Sequence, residues 1–157
     1  MDLSSFGVAD LLRLYGEVLE ELRRQGVIRS TNNPVADYTE YLVSIKLGLT
    51  LQGNSVSGFD AKDSDGHRYQ IKGRRLTPQN RNTELSAIRN LPNHPFDHLI
   101  AVVYRQDFTI DYAAQVPYDV VVELAKYSKH TNAHRFHVRR NVLEDSRVTD
   151  VTSRLVV

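Results

Sequence analysis

The sequence predicts an α/β domain built on a mixed central β-sheet, with 1–157 as one domain. Three observations carry that expectation. Two segments near the start place apolar residues at helical spacing, over about Val8–Gln25 and Pro34–Leu47. A hairpin signature follows, with Ser64-Asp65-Gly66 between two alternating segments. The run Leu99-Ile100-Ala101-Val102-Val103 then reads as a strand buried on both faces, which is the mark of a sheet covered on two sides.

In the first helix, Val8, Leu11, Leu12, Tyr15, Val18, Leu19 and Leu22 make one apolar stripe, with Gly26 just past its end. This helix reads as packing, with no chemistry in it. In the second, Asn33 suits the N-cap, Pro34 the first position and Gly48 the end. Val35, Tyr38, Leu42 and Ile45 form one apolar row. Ala36, Val43 and Leu47 form another, and Glu40 sits within it. A short strand is expected at Leu49–Leu51, a turn at Gln52-Gly53-Asn54-Ser55, and then the hairpin. Thr83 is placed to cap a short helix through Leu91, with Leu85, Ile88 and Leu91 facing in. Strands are expected at His98–Tyr104 and Phe108–Val116, a helix from Pro117 to about Tyr127, and a late strand at Phe136–Arg139.

The chain has 157 residues, 41% of them hydrophobic and 25% charged, which is enough to bury a core. Its formal charge is only +1, so any basic surface must come from how charges are distributed. With no cysteine, disulfides and thiolate metal sites are excluded. The N-terminal residues do not read as a signal peptide, and no apolar run reaches membrane-spanning length. A cytoplasmic protein with no membrane partner is the expectation.

The hairpin carries the candidate chemistry. A three-residue loop ending in Gly66 pairs Asp63 with His67. Counting back, Ala61 faces Tyr69 and Asp60 faces Gln70. Asp60, Gln70 and Lys72 then share one face, while Phe59, Ala61, Tyr69 and Ile71 share the other. A one-residue slip would put Asp60 opposite Ile71 and invert every face. An acid, an amide oxygen and an amine together suit a hard cation beside a phosphate, because Mg²⁺ takes oxygen ligands. A solvated hairpin presents polar residues of the same kind. Glu40, on or beside a buried stripe, needs a metal or a cationic partner to offset burial; a nearby Lys or Arg would serve. Asp37, one turn earlier, is the fallback acid.

Taken together, Glu40, Asp60 and Gln70-Ile71-Lys72 resemble the PD-(D/E)xK nuclease superfamily, the restriction-endonuclease-like fold, over about residues 34–105. The resemblance implies a core of helix, three strands, helix and strand, here with an added N-terminal helix and a C-terminal α/β extension. It matches Asp60 to the first-motif acid, Lys72 to the lysine and Glu40 to the helix acid. Phe59 stands where the motif has proline, and Gln70 replaces the usual acid, as in the Q-x-K of Mrr-like enzymes. It implies a nuclease acting on DNA with Mg²⁺ or Mn²⁺ held by Glu40, Asp60 and Gln70. Lys72 would orient the attacking water and offset charge at the phosphate.

Arg68, Arg74, Arg75 and Arg81 cluster at the end of the hairpin and after it, where they could contact phosphates or simply pair with surface acids. With no separate sequence-reading domain visible, cutting both strands of a duplex would need a second copy or a partner subunit. His130, His134 and His137 would need a helix to form a zinc site, and Phe136-His137-Val138 reads as a strand. There is no G-x-S-x-G, Walker or dinucleotide pattern. The alternative reading is a non-catalytic member of the same fold that binds nucleic acid or a protein.

Overall fold

The structure is a computed structural model and describes residues 2–53 and 58–156. In chain order, helices α1 (Val8–Arg24) and α2 (Val35–Leu47) precede strands β1 (Thr50–Leu51), β2 (Ala61–Lys62), β3 (Arg68–Arg75), β4 (His98–Tyr104) and β5 (Ile110–Pro117). Helix α3 (Tyr118–Leu124), strands β6 (Lys126–Ser128), β7 (Ala133–Arg135) and β8 (Thr149–Asp150), and helix α4 (Thr152–Leu155) complete the chain. The main sheet runs β1-β2-β3-β4-β5-β8, and β6 and β7 form a separate ribbon. Among the described residues only the β3–β4 pairing is parallel, so the sheet is mixed and the fold is α/β.

The hairpin register is the expected one: Ala61 pairs with Tyr69 and Lys62 with Arg68. Gly66 has φ of +88°, which favours glycine because no Cβ clashes there. Its amide donates to Asp63 O at 3.2 Å, closing the loop. In the turn expected at Gln52-Gly53-Asn54-Ser55, Asn54 and Ser55 lie outside the described residues.

The sheet buries a core on each face. One contains Leu42 and Val43 of α2, Ala61, Tyr69 and Ile71 of the hairpin, and Ile100, Val102 and Tyr104 of β4. The other contains Leu99, Ala101 and Val103 of β4, covered by Leu85, Ile88, Phe96, Val120, Val121, Phe136 and Val138. The β4 run is apolar throughout because alternate side chains enter different cores.

Helix α2 begins where Asn33 Oδ1 accepts from Val35 N at 3.1 Å and ends at Gly48, with φ of +68°. It meets the sheet through Thr39, Leu42 and Val43; Ile45, expected inside, is 60% exposed. A Cβ on Gly73 would stand 2.1 Å from Thr39 Oγ1, so the helix lies directly on β3 and only glycine fits. Thr39 Oγ1 also accepts from the buried Tyr104 hydroxyl at 3.1 Å.

Several expectations are corrected. Residues 83–91 form no helix. Leu85 N donates to Phe136 O, and Ile88 and His134 exchange both backbone bonds, so this segment takes its hydrogen bonds from a distant chain. A 3₁₀ turn, Leu91–Asn93, follows, flanked by Asn90 and His94 at positive φ. Apolar spacing of three fits this bridged segment as well as it fits a helix. The β3–β4 crossover is therefore irregular. Helix α3 stops at Leu124, because β6 begins at Lys126. The late strand is Ala133–Arg135, earlier than the expected Phe136–Arg139. Phe59 leaves the Ala61 face and packs against the opposite core. Helix α1, expected to pack, buries none of its residues.

Candidate active site

Strand β2 pairs with β3 only as far as Ala61 opposite Tyr69. Beyond that point the β3 edge opens into a cleft of about 580 Å³. Glu40 enters from α2, Asp60 from the end of β2, and Gln70 and Lys72 from β3; all four line the cleft. Asn32 and Asn33 before α2 and Thr77, Asn80 and Ser86 of the crossover form its rim. The four predicted side chains thus converge, but from three directions. Gln70 and Lys72 lie on the face opposite α2, as their pairing with Leu99 and Ala101 shows. Glu40 reaches the same space around the open edge.

Asp60 ties the site to the sheet. Its amide donates to Tyr69 O at 2.8 Å. Its Oδ2 accepts from Ile71 N at 2.6 Å and from Gln70 Nε2. A carboxylate can only accept, so the Gln70 amide must present its NH₂ to Asp60. Gln70 Oε1 is therefore the free acceptor. Among the described residues, neither that atom nor Asp60 Oδ1 has a hydrogen-bond partner. Glu40 accepts from Arg29 through Oε2 and likewise leaves Oε1 without one. The donor set is thus three oxygens, two from acids and one neutral, which fits a hard divalent cation.

The electrostatics agree with a shared cleft. Burial pushes the Asp60 carboxyl above its usual range, although the Ile71 amide and the Lys72 ammonium oppose this. Burial also raises Glu40; the charge of Asp60 adds to the rise, and Arg29 opposes it. Lys72 is lowered by burial, while Asp60 and Glu40 pull it back up. Lys72 thus feels both acids, Glu40 feels Asp60, and Asp60 feels Lys72. Lys72 Nζ donates to Ser86 Oγ at 2.9 Å, which aims the ammonium at the crossover side.

Arg74 and Arg75 line the cleft, but loop oxygens hold them. Arg74 Nε donates to Asn82 O at 2.7 Å. Arg75 donates twice to Gln106 O, at 2.8 and 2.6 Å, and lies 4.5 Å over the Phe108 ring. Arg81 lines a neighbouring groove. Arg68 is outside the cleft: Asp97 binds its guanidinium at 3.0 Å and its backbone amide at 2.7 Å. Asp37 is no reserve ligand: it is not among the residues lining the cleft, and its Oδ2 accepts from Arg29 N and Ser30 N at 2.8 and 2.7 Å, on the side of the chain before α2. His134 and His137 sit in extended, bridged chain rather than on one helix. Asp63, Asp65 and His67 gather at the hairpin tip, but both Asp63 oxygens already accept bonds from the loop and from Tyr69.

Arg29 and Ser86 belong to the site and carry no motif. Arg29 lies in a polar connection, and Ser86 in a segment whose spacing suggested a helix. The one available sign was negative: a half-buried Glu40 requires a cation. No protein-family model matches the chain, and no curated protein matches it.

Proposed function

We propose that this protein is a divalent-metal-dependent nuclease that hydrolyses phosphodiester bonds, with DNA as the substrate. One observation carries the reading: Glu40, Asp60, Gln70 and Lys72 line one cleft at an open sheet edge, where the half-buried Lys72 ammonium feels the charge of both acids. The restriction-endonuclease-like core is part of the same proposal. It is supported by α2, the β1–β2–β3 meander and a β4 parallel to β3, and it departs from the pattern in lacking a helix before β4. The reading takes the protein to act in the cytoplasm; among the described residues no helix is long and apolar enough to cross a membrane.

Asp60, Glu40 and Gln70 Oε1 would hold Mg²⁺ or Mn²⁺. Such an ion would neutralise charge on the scissile phosphate. The chain's own residues do the rest. Asp60 uses Oδ2 to fix Gln70 and the β3 backbone, which keeps Oδ1 directed by a rigid element. Lys72, half-buried at the cleft, supplies a preorganised positive charge that partial desolvation strengthens. Ser86 holds that ammonium in place. Arg74 and Arg75 offer N–H groups to flanking phosphates along the cleft, and Arg81 extends the track into the next groove.

The test is cleavage of supercoiled plasmid and of single-stranded and branched DNA, with Mg²⁺, with Mn²⁺ and with chelator. Wild-type protein should cut only with metal. Lys72→Met keeps the stem and deletes the charge; it should lower the rate by about a hundredfold or more while DNA binding persists. Wild-type protein that binds DNA and cuts under no metal condition would establish the non-catalytic reading. Cleavage by Lys72→Met at the wild-type rate would show that the charge at the phosphate comes from another residue.

A further inference from the structure

Helix α1 is the longest helix, and its apolar face is largely uncovered, with Leu11, Leu14, Leu19 and Leu22 no more than half-buried. Among the described residues none of its side chains is buried; Val8, Leu12, Tyr15 and Val18 are 77%, 66%, 55% and 47% exposed. Neither core draws a residue from it. Leu3 and Phe6, also exposed, lengthen the apolar surface at its start. A helix of 17 residues standing alone in water is marginal, because most helical stability comes from packing an apolar face.

The spacing says what fits. Val8, Tyr15 and Leu22 recur every seven residues, and Leu11 and Val18 recur between them. These are the two seam positions of a heptad, widened on one side by Leu12 and Leu19. A seam of that period packs against another helix of the same period. The charge pattern argues against a polyanionic partner. The polar side has four acids, Asp10, Glu17, Glu20 and Glu21, against three arginines, Arg13, Arg23 and Arg24. Three ion pairs close within the helix: Asp10–Arg13, Glu20–Arg23 and Glu21–Arg24. Helices that bind phosphates or anionic lipid carry an excess of Lys and Arg there. Area argues for a twin. A helix of this length spans about 25 Å. Two of them packed along their seams, with Leu3 and Phe6, would bury roughly 1,000–1,200 Å² in total, which reaches what a specific interface needs. A second copy presents the same stripe by symmetry.

We propose that α1 is a dimerisation helix, through which two copies of this chain pair seam to seam. An interface at the small end of the specific range suits a reversible dimer, and the proposal takes a dissociation constant of about 1–100 µM. The proposal holds whether or not the cleft is catalytic. If the cleft is catalytic, the dimer supplies two sites.

The test is sedimentation equilibrium of the full chain, from about 1 to 300 µM to bracket that affinity. Wild type should show a monomer–dimer equilibrium, and its helical circular dichroism should fall on dilution as α1 loses its partner. Leu12→Glu and Val18→Glu should weaken the dimer at least a hundredfold and still fold, since α1 supplies no core residue. Ile45→Glu, which removes an exposed apolar residue of α2, should dimerise like wild type. Wild-type protein that stays monomeric over the whole range overturns the proposal. So does a dimer that survives Leu12→Glu and Val18→Glu.

Discussion

Asp60 makes its two hydrogen bonds through one oxygen, so its other oxygen and the Gln70 carbonyl face the cleft as a matched pair of acceptors. That division predicts unequal roles. Asp60→Ala should weaken Mg²⁺ binding by about tenfold or more, because it removes both a charge and the anchor of the amide. Gln70→Ala removes only a dipole and should cost less. Isothermal titration calorimetry ranks them, and equal affinities in wild type and both variants would put the metal elsewhere. Arg29 makes a third case. Its guanidinium occupies one Glu40 oxygen and offsets the surplus negative charge. Arg29→Gln should therefore tighten Mg²⁺ binding several-fold while lowering the melting temperature of the metal-free protein. Affinity unchanged by Arg29→Gln would remove Glu40 from the ligand set. Gly73→Ala tests the helix contact instead: its Cβ would meet Thr39 Oγ1, forcing α2 off the strand that carries Lys72. A cost of about 1–3 kcal/mol is expected from such overpacking. At ~2–4 °C per kcal/mol for this chain length, thermal denaturation should detect it readily.

Between elements, the start of β3 is fastened to the start of β4 by Arg68 and Asp97, which exchange side-chain and backbone bonds. The Arg68 guanidinium holds the Asp97 carboxyl down at about 2, below its ordinary value of 3.8. A depressed acid stabilises the fold above its unfolded pKa and loses that contribution as pH falls through its folded pKa. The Arg68–Asp97 contribution, about 1–2 kcal/mol for a partly exposed pair, should therefore fade between about pH 4 and pH 2. Urea unfolding at a series of pH values should show that slope in wild type and lose it in Asp97→Asn. An identical slope in the variant would show that this acid dependence arises elsewhere. The crossover between these strands has no helix, and its Ser86 contact to Lys72 is held by bridges to residues 134–138. The distant C-terminal chain thus supports the cleft.

Across the whole molecule, the two site acids work in the opposite sense to Asp97. Burial raises both Glu40 and Asp60. A raised acid penalises the metal-free fold once pH climbs through its unfolded and then its folded pKa. Mg²⁺ should relieve that penalty. At a hundred times its dissociation constant it should add ~2.7 kcal/mol by mass action, raising the melting temperature by roughly 5–10 °C at neutral pH. As pH falls, protons should displace the ion at a pH above the ordinary carboxylate range. A melting temperature indifferent to Mg²⁺ and Mn²⁺ would count against any cation in the cleft.

The hairpin register was determined by local sequence. Gly66 after Ser64-Asp65 sets a three-residue loop that pairs Ala61 with Tyr69, and this register brings the Asp60 side chain to Gln70. The apolar run of β4 likewise announced a strand buried on both faces. Long-range pairing decided the rest. Whether Leu85 and Ile88 form a helix depended on hydrogen bonds offered by Phe136 and His134, about fifty residues away and unmarked by any local period. Arg29 reached Glu40, and Arg68 was drawn to Asp97 and away from the cleft, because side-chain partners are chosen in space. The stripe on α1 is equally plain in the sequence, but periodicity specifies only an apolar face, and tertiary structure decides whether the chain's own core covers it.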